Sequence, residues 1–408
     1  MDNFSENQEL ITRLVTRIMK IDSVTSFEPG SREIAVFRGR LIKDSIAAYD
    51  QIAEALKPHK LTPLFREEND QHVVALLDGV AEVKPSNPMV NLVLFLFTLL
   101  SVIWVGALYS YEGPFPEDLG LQIELIFSII KTGLPYGLSI LAILLAHEFG
   151  HYLAARYHQA DVTLPYFIPF PFSSFGTMGA FIQLKTPPKN KRILHDIGVA
   201  GPLAGLFVAI PILLIGLSLS PVTEISVSTL PEGSILTVEG NSIIYLVSKY
   251  IVHGELLPAP QDYGGVAPLW YWIRYMFTGH PSPIGGRDVM LHPMAWAGWA
   301  GLLVTALNLL PVGQLDGGHA LYVLVGKKAL GVFPYILGVL ALLGLVWPGW
   351  WLWMFLIYRF GQRHAEPLDQ ITELDSRRQM IAIFVLILFV LLFTPIPLTQ
   401  YADAGVLF

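Results

Sequence analysis

Polar and apolar positions divide this chain into an amphipathic beginning and a long membrane-like remainder. Residues 90–109, 197–219, 294–312 and 380–398 carry no charge. Each is long enough, at 1.5 Å per helical residue, to cross or nearly cross ~30 Å of hydrocarbon. Residues 330–346 are a further candidate span. A short aromatic stretch at 350–358 reads as a return pass after the Trp347-Pro348-Gly349 turn. Residues 135–157 are equally apolar but are interrupted by ionisable groups.

The first 85 residues read differently. Leu10, Ile11, Leu14, Val15, Ile18 and Met19 recur at helical spacing with charges between them, which predicts an amphipathic helix. Strands are predicted at 34–37, 61–65 and 72–77, with a helix at 44–56 capped by Asp44. A Pro-bearing linker at 84–88 leads to the first span. The expected fold is a polytopic α-helical membrane protein of about six to eight spans, with a small N-terminal α+β soluble domain at 1–85 and a core at 86–400. Within that core, 220–290 forms a less apolar loop region.

Composition agrees with this division, since 53% of the 408 residues are hydrophobic and only 14% are charged. The absence of cysteine excludes disulfides, thiolate metal ligands and a cysteine nucleophile. A net charge of -7 without a Lys/Arg-rich stretch argues against nucleic acid as a partner. The loop after the first span is acidic, whereas Lys185, Lys189, Lys191 and Arg192 follow the 135–157 run, and Lys327, Lys328, Arg359, Arg363, Arg377 and Arg378 continue the alternation. The positive-inside rule then puts the N-terminus in the cytoplasm, with a bacterial inner membrane as the expected location.

The ionisable interruption is His147-Glu148-Phe149-Gly150-His151. On a helix, positions four apart share a face, so two imidazoles can grip one zinc ion while Glu148 stays free as a general base. Three such groups in one lipid-embedded segment are costly without a partner, which favours a metal site over satisfied core residues. Catalytic zinc takes three protein ligands and keeps a position for water. Asp196, His195, His292, Asp316 and His319 all lie near predicted helix ends, and spacing does not choose among them. Asp316 is the carboxylate that closely follows a span and opens a Gly-Gly break, after Asn308-Leu-Leu-Pro-Val-Gly-Gln-Leu.

Residues 161–185 are rich in proline and phenylalanine, and end in a strand-like run that includes Gly179, Ala180, Phe181 and Ile182. Non-helical backbone at membrane depth survives only when buried in protein or lining a wet cavity, so this segment is expected to form a re-entrant β-hairpin beside the site. Its exposed edge could pair with an extended peptide. The competing reading is a loop resting on the membrane surface through its aromatic rings.

The His-Glu-x-x-His helix together with the Asn-x-x-Pro-x-x-x-Leu-Asp-Gly segment resembles the site-2 protease family of intramembrane zinc metalloproteases. The run from Tyr166 and the Asp196-Ile-Gly-Val-Ala-Gly-Pro-Leu-Ala-Gly segment are similar to its plant chloroplast and cyanobacterial branch. The plant branch also carries a Gly-Asn-Leu-Arg motif where this chain has Phe37-Arg38-Gly39-Arg40-Leu41. The resemblance implies zinc held by His147, His151 and Asp316, water activated by Glu148, and Asn308 binding the substrate backbone or oxyanion. It implies transmembrane helices of other proteins as substrates. For Asn308 the alternative is an amide packed across a helix interface, and Gly198, Gly201 and Gly205 read as a close-packing helix face. A non-proteolytic zinc-binding membrane chaperone or scaffold is the alternative function, which the intact Glu148 disfavours. A transporter would call for inverted repeats that the sequence lacks.

Overall fold

The computed structural model describes residues 3–26, 32–80, 85–111, 116–225, 236–280, 284–361, 366–402 and 405–406. Expectations resting on Lys84, on the acidic loop at 112–115 and on Arg363 lie outside these residues.

The chain opens with α1 (Asn3–Thr16), β1 (Met19–Ser26), β2 (Glu33–Leu41), α2 (Ser45–Leu56), β3 (Leu61–Glu68) and β4 (Gln71–Asp78). Asp44 caps α2 by accepting from the Ile46 and Ala47 amides. The strands form an antiparallel sheet in the order β1-β2-β4-β3. Ile11, Val15, Ile52 and Leu56 pack against Phe37, Phe65, Val74 and Leu76 on one face. Each such side chain contributes about 1.5–3 kcal/mol by leaving water. Strand β1 is absent from the sequence reading, because Ile18 and Met19 extend the helical stripe in sequence but are buried beyond the end of α1.

The apolar remainder begins with α3 (Pro88–Tyr109) and the 39-residue α4 (Leu119–Tyr157). The paired strands β5 (Tyr166–Pro169) and β6 (Thr177–Phe181) follow, then α5 (Lys191–Ser218). Next come β7 (Val222–Glu224), β8 (Leu236–Glu239), α6 (Ile243–His253), α7 (Pro268–Thr278) and β9 (Arg287–Val289). The chain continues through α8 (Pro293–Asn308), α9 (Asp316–Val325), α10 (Phe333–Leu343), α11 (Gly349–Phe360) and α12 (Ser376–Leu392), and ends in β10 (Leu398–Ala402) and β11 (Gly405–Val406).

Among the described residues, four helical stretches are long and apolar enough to cross a membrane: Pro88–Tyr109, Leu119–Tyr157, Lys191–Ser218 and Asp316–Leu343. The last is interrupted at Gly326, whose φ of 61° lies where a right-handed helix cannot continue. Helices α8 and α12 are shorter, at 16 and 17 residues. The main buried cluster joins α3, α4, α5, α8 and α12 through residues such as Tyr136, Ile140, Leu206, Leu213, Trp299 and Val385.

One strap ties the N-terminal sheet to this core. Strand β3 is an edge strand, and residues 368–370 lie along it: the Phe65 amide donates to the Leu368 carbonyl at 2.8 Å, and the Gln370 amide to the Phe65 carbonyl at 2.9 Å. On its other side the Asp369 amide donates to the Lys189 carbonyl at 2.7 Å, next to the Asn190 cap of α5. The strap covers an edge that would otherwise be open to another chain.

Candidate metal centre

Helix α4 brings His147 and His151 to one face, with Nε2 atoms 3.2 Å apart. Asp316 opens α9 and directs Oδ2 to within 3.3 Å of His147 Nε2 and 3.4 Å of His151 Nε2. Tetrahedral zinc with bonds of ~2.05 Å separates its ligand atoms by about 3.35 Å. The three donors therefore already stand at the edge lengths of a zinc corner, and all three side chains are largely withdrawn from solvent. Among the described residues this is the single cluster of its kind.

Local sequence explains how the third donor reaches the first two. Helix α8 ends at Asn308, and α9 starts only eight residues later. Gly317 makes that fold-back possible, since a Cβ there would fall 1.9 Å from the Leu309 carbonyl oxygen. Asp316 thus occupies the first turn of α9, where the helix dipole favours a negative charge.

The neighbouring α5 orients the two imidazoles. His151 Nδ1 lies 2.7 Å from the Ile197 carbonyl. A ring N–H donated there fixes the tautomer and leaves the Nε2 lone pair free for a metal, the usual support of a ligating histidine. Gly201, one turn on, backs directly against the same ring. Gly201 and Gly205 pack against His151 and His147 of α4, whereas Gly198 faces His319 of α9.

Glu148 is buried, and the backbone of Ile182, just beyond β6, lies beside its carboxylate in the same cavity wall. A cavity of about 500 Å³ joins His147, Glu148, His151 and Asp316 to Ala180, Phe181 and Ile182, with Asn308 and His319 also in its wall. Gly179 is not in that wall and turns at φ 95°. Asn308 Nδ2 is 3.3 Å from His147 Nε2.

Of the other candidate ligands, His319 lines this cavity, and His195, Asp196 and His292 lie elsewhere. His195 and Asp196 bind each other, and Asp196 also takes His158 and Arg378. His292 caps α8, accepting from the Met294 amide. Sequence reasoning missed the Ile197 carbonyl and the Ile182 amide, because backbone groups leave no mark in residue identity. The glycine spacing on α5 was the available signal.

A largely buried three-donor corner that could hold a metal ion thus stands beside a buried carboxylate, in one cavity among apolar helices. Residues 136–332 match the model of Peptidase family M50, to which the chain is similar over this segment. The chain is 31% identical over 327 residues to probable zinc metalloprotease EGY1, chloroplastic, of Oryza sativa subsp. japonica, which covers 76% of this chain and 50% of that protein. It is 30% identical over 323 residues to the Arabidopsis thaliana protein of the same description, covering 76% and 53%. Similarity to probable zinc metalloprotease EGY2, chloroplastic, of Arabidopsis thaliana is 27% over 413 residues, covering 97% and 66%. The chain spans about half the length of the first two relatives. No solved structure matches it. The descriptions of these relatives name the chloroplast, so they lend no support to the bacterial inner membrane expected from sequence.

Proposed function

We propose that this protein is an intramembrane zinc metalloprotease that hydrolyses peptide bonds in or near transmembrane helices of other membrane proteins. His147, His151 and Asp316 hold the zinc, and Glu148 is the general base. When bound, zinc supplies the Lewis acidity that makes water nucleophilic near neutral pH and polarises the scissile carbonyl. Glu148 takes the proton from water and returns it to the leaving amine. The Ile182 amide keeps the carboxylate aimed into the cavity. Asn308, whose amide already faces the ligand corner, orients the substrate carbonyl or its oxyanion.

A helical substrate hides its carbonyls in i to i-4 bonds and must unwind before attack. The segment Gly179 to Ile182 receives the unwound strand along the β6 edge, with Ala180, Phe181 and Ile182 contributing to the cavity and Gly179 to the turn that feeds it. We read the β5–β6 pair as re-entrant, residues 1–85 as a separate soluble unit facing the side that receives the basic loops, and 86–400 as a core of about six to eight spans that counts α8, α11 and α12.

The observation that carries this reading is the single cavity shared by the three-donor corner, the buried Glu148 and the end of β6. The experiment is cleavage of a transmembrane peptide by the purified wild-type chain and by Glu148→Gln, with zinc measured in both. Zinc retained and cleavage lost supports the assignment, and substantial cleavage by the variant sinks it.

A further inference from the structure

Three helices meet at Asp196. Helix α4 closes at His158, whose Nε2 lies 2.9 Å from Asp196 Oδ2. Arg378, in the first turn of α12, grips the same carboxylate as a fork: Nε donates to Oδ1 at 2.8 Å and Nη2 to Oδ2 at 2.7 Å. The third arm of the guanidinium donates to Asp375 Oδ2 at 2.5 Å, and Asp375 caps α12 by accepting from the Arg378 amide at 3.1 Å. His195 Nδ1 lies 2.9 Å from Oδ1. A forked Arg–carboxylate pair fixes direction as well as distance, which a point charge such as Lys does not.

The next residue along α5 is Ile197, whose carbonyl takes the His151 Nδ1 proton at 2.7 Å. The ring and its acceptor sit on different helices, so the aim of the imidazole depends on the axial offset between α4 and α5. Asp196 pins that offset one residue away from the acceptor. Partly exposed ion pairs add little to stability, so four donors on one carboxylate are better explained by geometry than by folding energy.

We propose that the Arg378–Asp196–His158 clamp is a positioning device that sets α5 against α4 and thereby orients the metal ligand His151. The proposal rests on the reading of His147, His151 and Asp316 as zinc ligands. Arg378 and Asp196 are positioning residues and do not touch the metal.

The test uses the purified full chain in detergent, titrated with zinc against a chelator and with Co²⁺ followed by visible absorption. Outer partners of metal ligands change affinity by about 10–100-fold, so Arg378→Gln and Asp196→Asn should each weaken zinc about tenfold and alter the Co²⁺ bands. Arg378→Lys should weaken it too, because the fork is lost while the charge stays. The double variant should be no worse than the worse single, as expected of one unit. Should the α12 variants fail to fold, His158→Ala, which removes only the α4 arm, decides the matter by the same two readouts. Unchanged zinc affinity and Co²⁺ spectrum in the folded variants overturn the clamp, even if they melt earlier. A wild type that takes up no zinc, or whose uptake is indifferent to His147→Ala, overturns the site reading itself and the clamp with it.

Discussion

Gly201 on α5 stands so close to His151 on α4 that a Cβ at this position would lie 2.1 Å from the ring Nε2. The missing side chain is the space in which the His151 imidazole sits. Gly201→Ala must push the ring off the line to Ile197 and Asp316, so zinc affinity should fall about 10–100-fold. Gly205→Ala meets His147 only at 3.1 Å, at its Cβ, and should cost less. Chelator competition on both variants checks the order. A Gly201→Ala protein with wild-type affinity would show that the ring has room to move.

Glu148→Gln keeps size and hydrogen bonding but removes the base. Cleavage of a transmembrane peptide should drop by about 10²–10⁴-fold in kcat while bound zinc is unchanged. Loss of zinc in this variant would point instead to a structural carboxylate.

The end of β6 separates two roles by position. Ile182→Pro deletes the backbone N–H that lies beside Glu148 and should lower kcat with zinc intact. Ala180 pairs with Phe167 across the hairpin, and Ala180→Pro tests the strand and its edge. Ala180→Ser, followed for thermal stability alongside, should keep activity. Wild-type cleavage by Ala180→Pro would mean that the peptide is not held by pairing at this strand.

Between β8, α6 and β9, Lys249 Nζ lies 3.7 Å from Glu239 Oε1 and 3.4 Å from Asp288 Oδ1, and the Tyr245 hydroxyl donates to Glu239 at 2.7 Å. Burial, then the neighbouring Asp288 charge, pushes the Glu239 carboxyl up to about 7 from 4.5. A raised carboxyl binds more protons folded than unfolded between those values. Its contribution to stability is full below about 4.5, and is lost as pH rises through about 7. Glu239→Gln should therefore raise Tm by a few degrees at about pH 8 and flatten the slope of Tm between about pH 5 and 8. A slope identical to wild type would remove Glu239 as its source.

That His147 and His151 share a face was legible because i and i+4 spacing translates directly into one side of a helix, and the approach of Asp316 because a carboxylate next to Gly317 and Gly318 marks a tight fold-back. Asp44 as a cap was readable for the same local reason. Strand β1 was not, since Ile18 and Met19 satisfy a helical stripe and a strand entrance alike. The strap at 368–370 also escaped, because its partners are backbone groups of Phe65 and Lys189, far away in sequence. Helices α8 and α12 came out shorter than the apolar runs that encode them, since Pro311 and Pro395 let the chain stay apolar after the helix has ended.

Asp316 should complete a zinc site with His147 and His151. The direct measurement is zinc per chain in purified wild type beside Asp316→Ala, with His195→Ala and His292→Ala as comparisons. Wild type should carry about one zinc per chain, in keeping with a single three-ligand site, retained by the two histidine controls and lost or greatly weakened in Asp316→Ala. Full zinc in Asp316→Ala, or loss of zinc in His195→Ala alone, would contradict it.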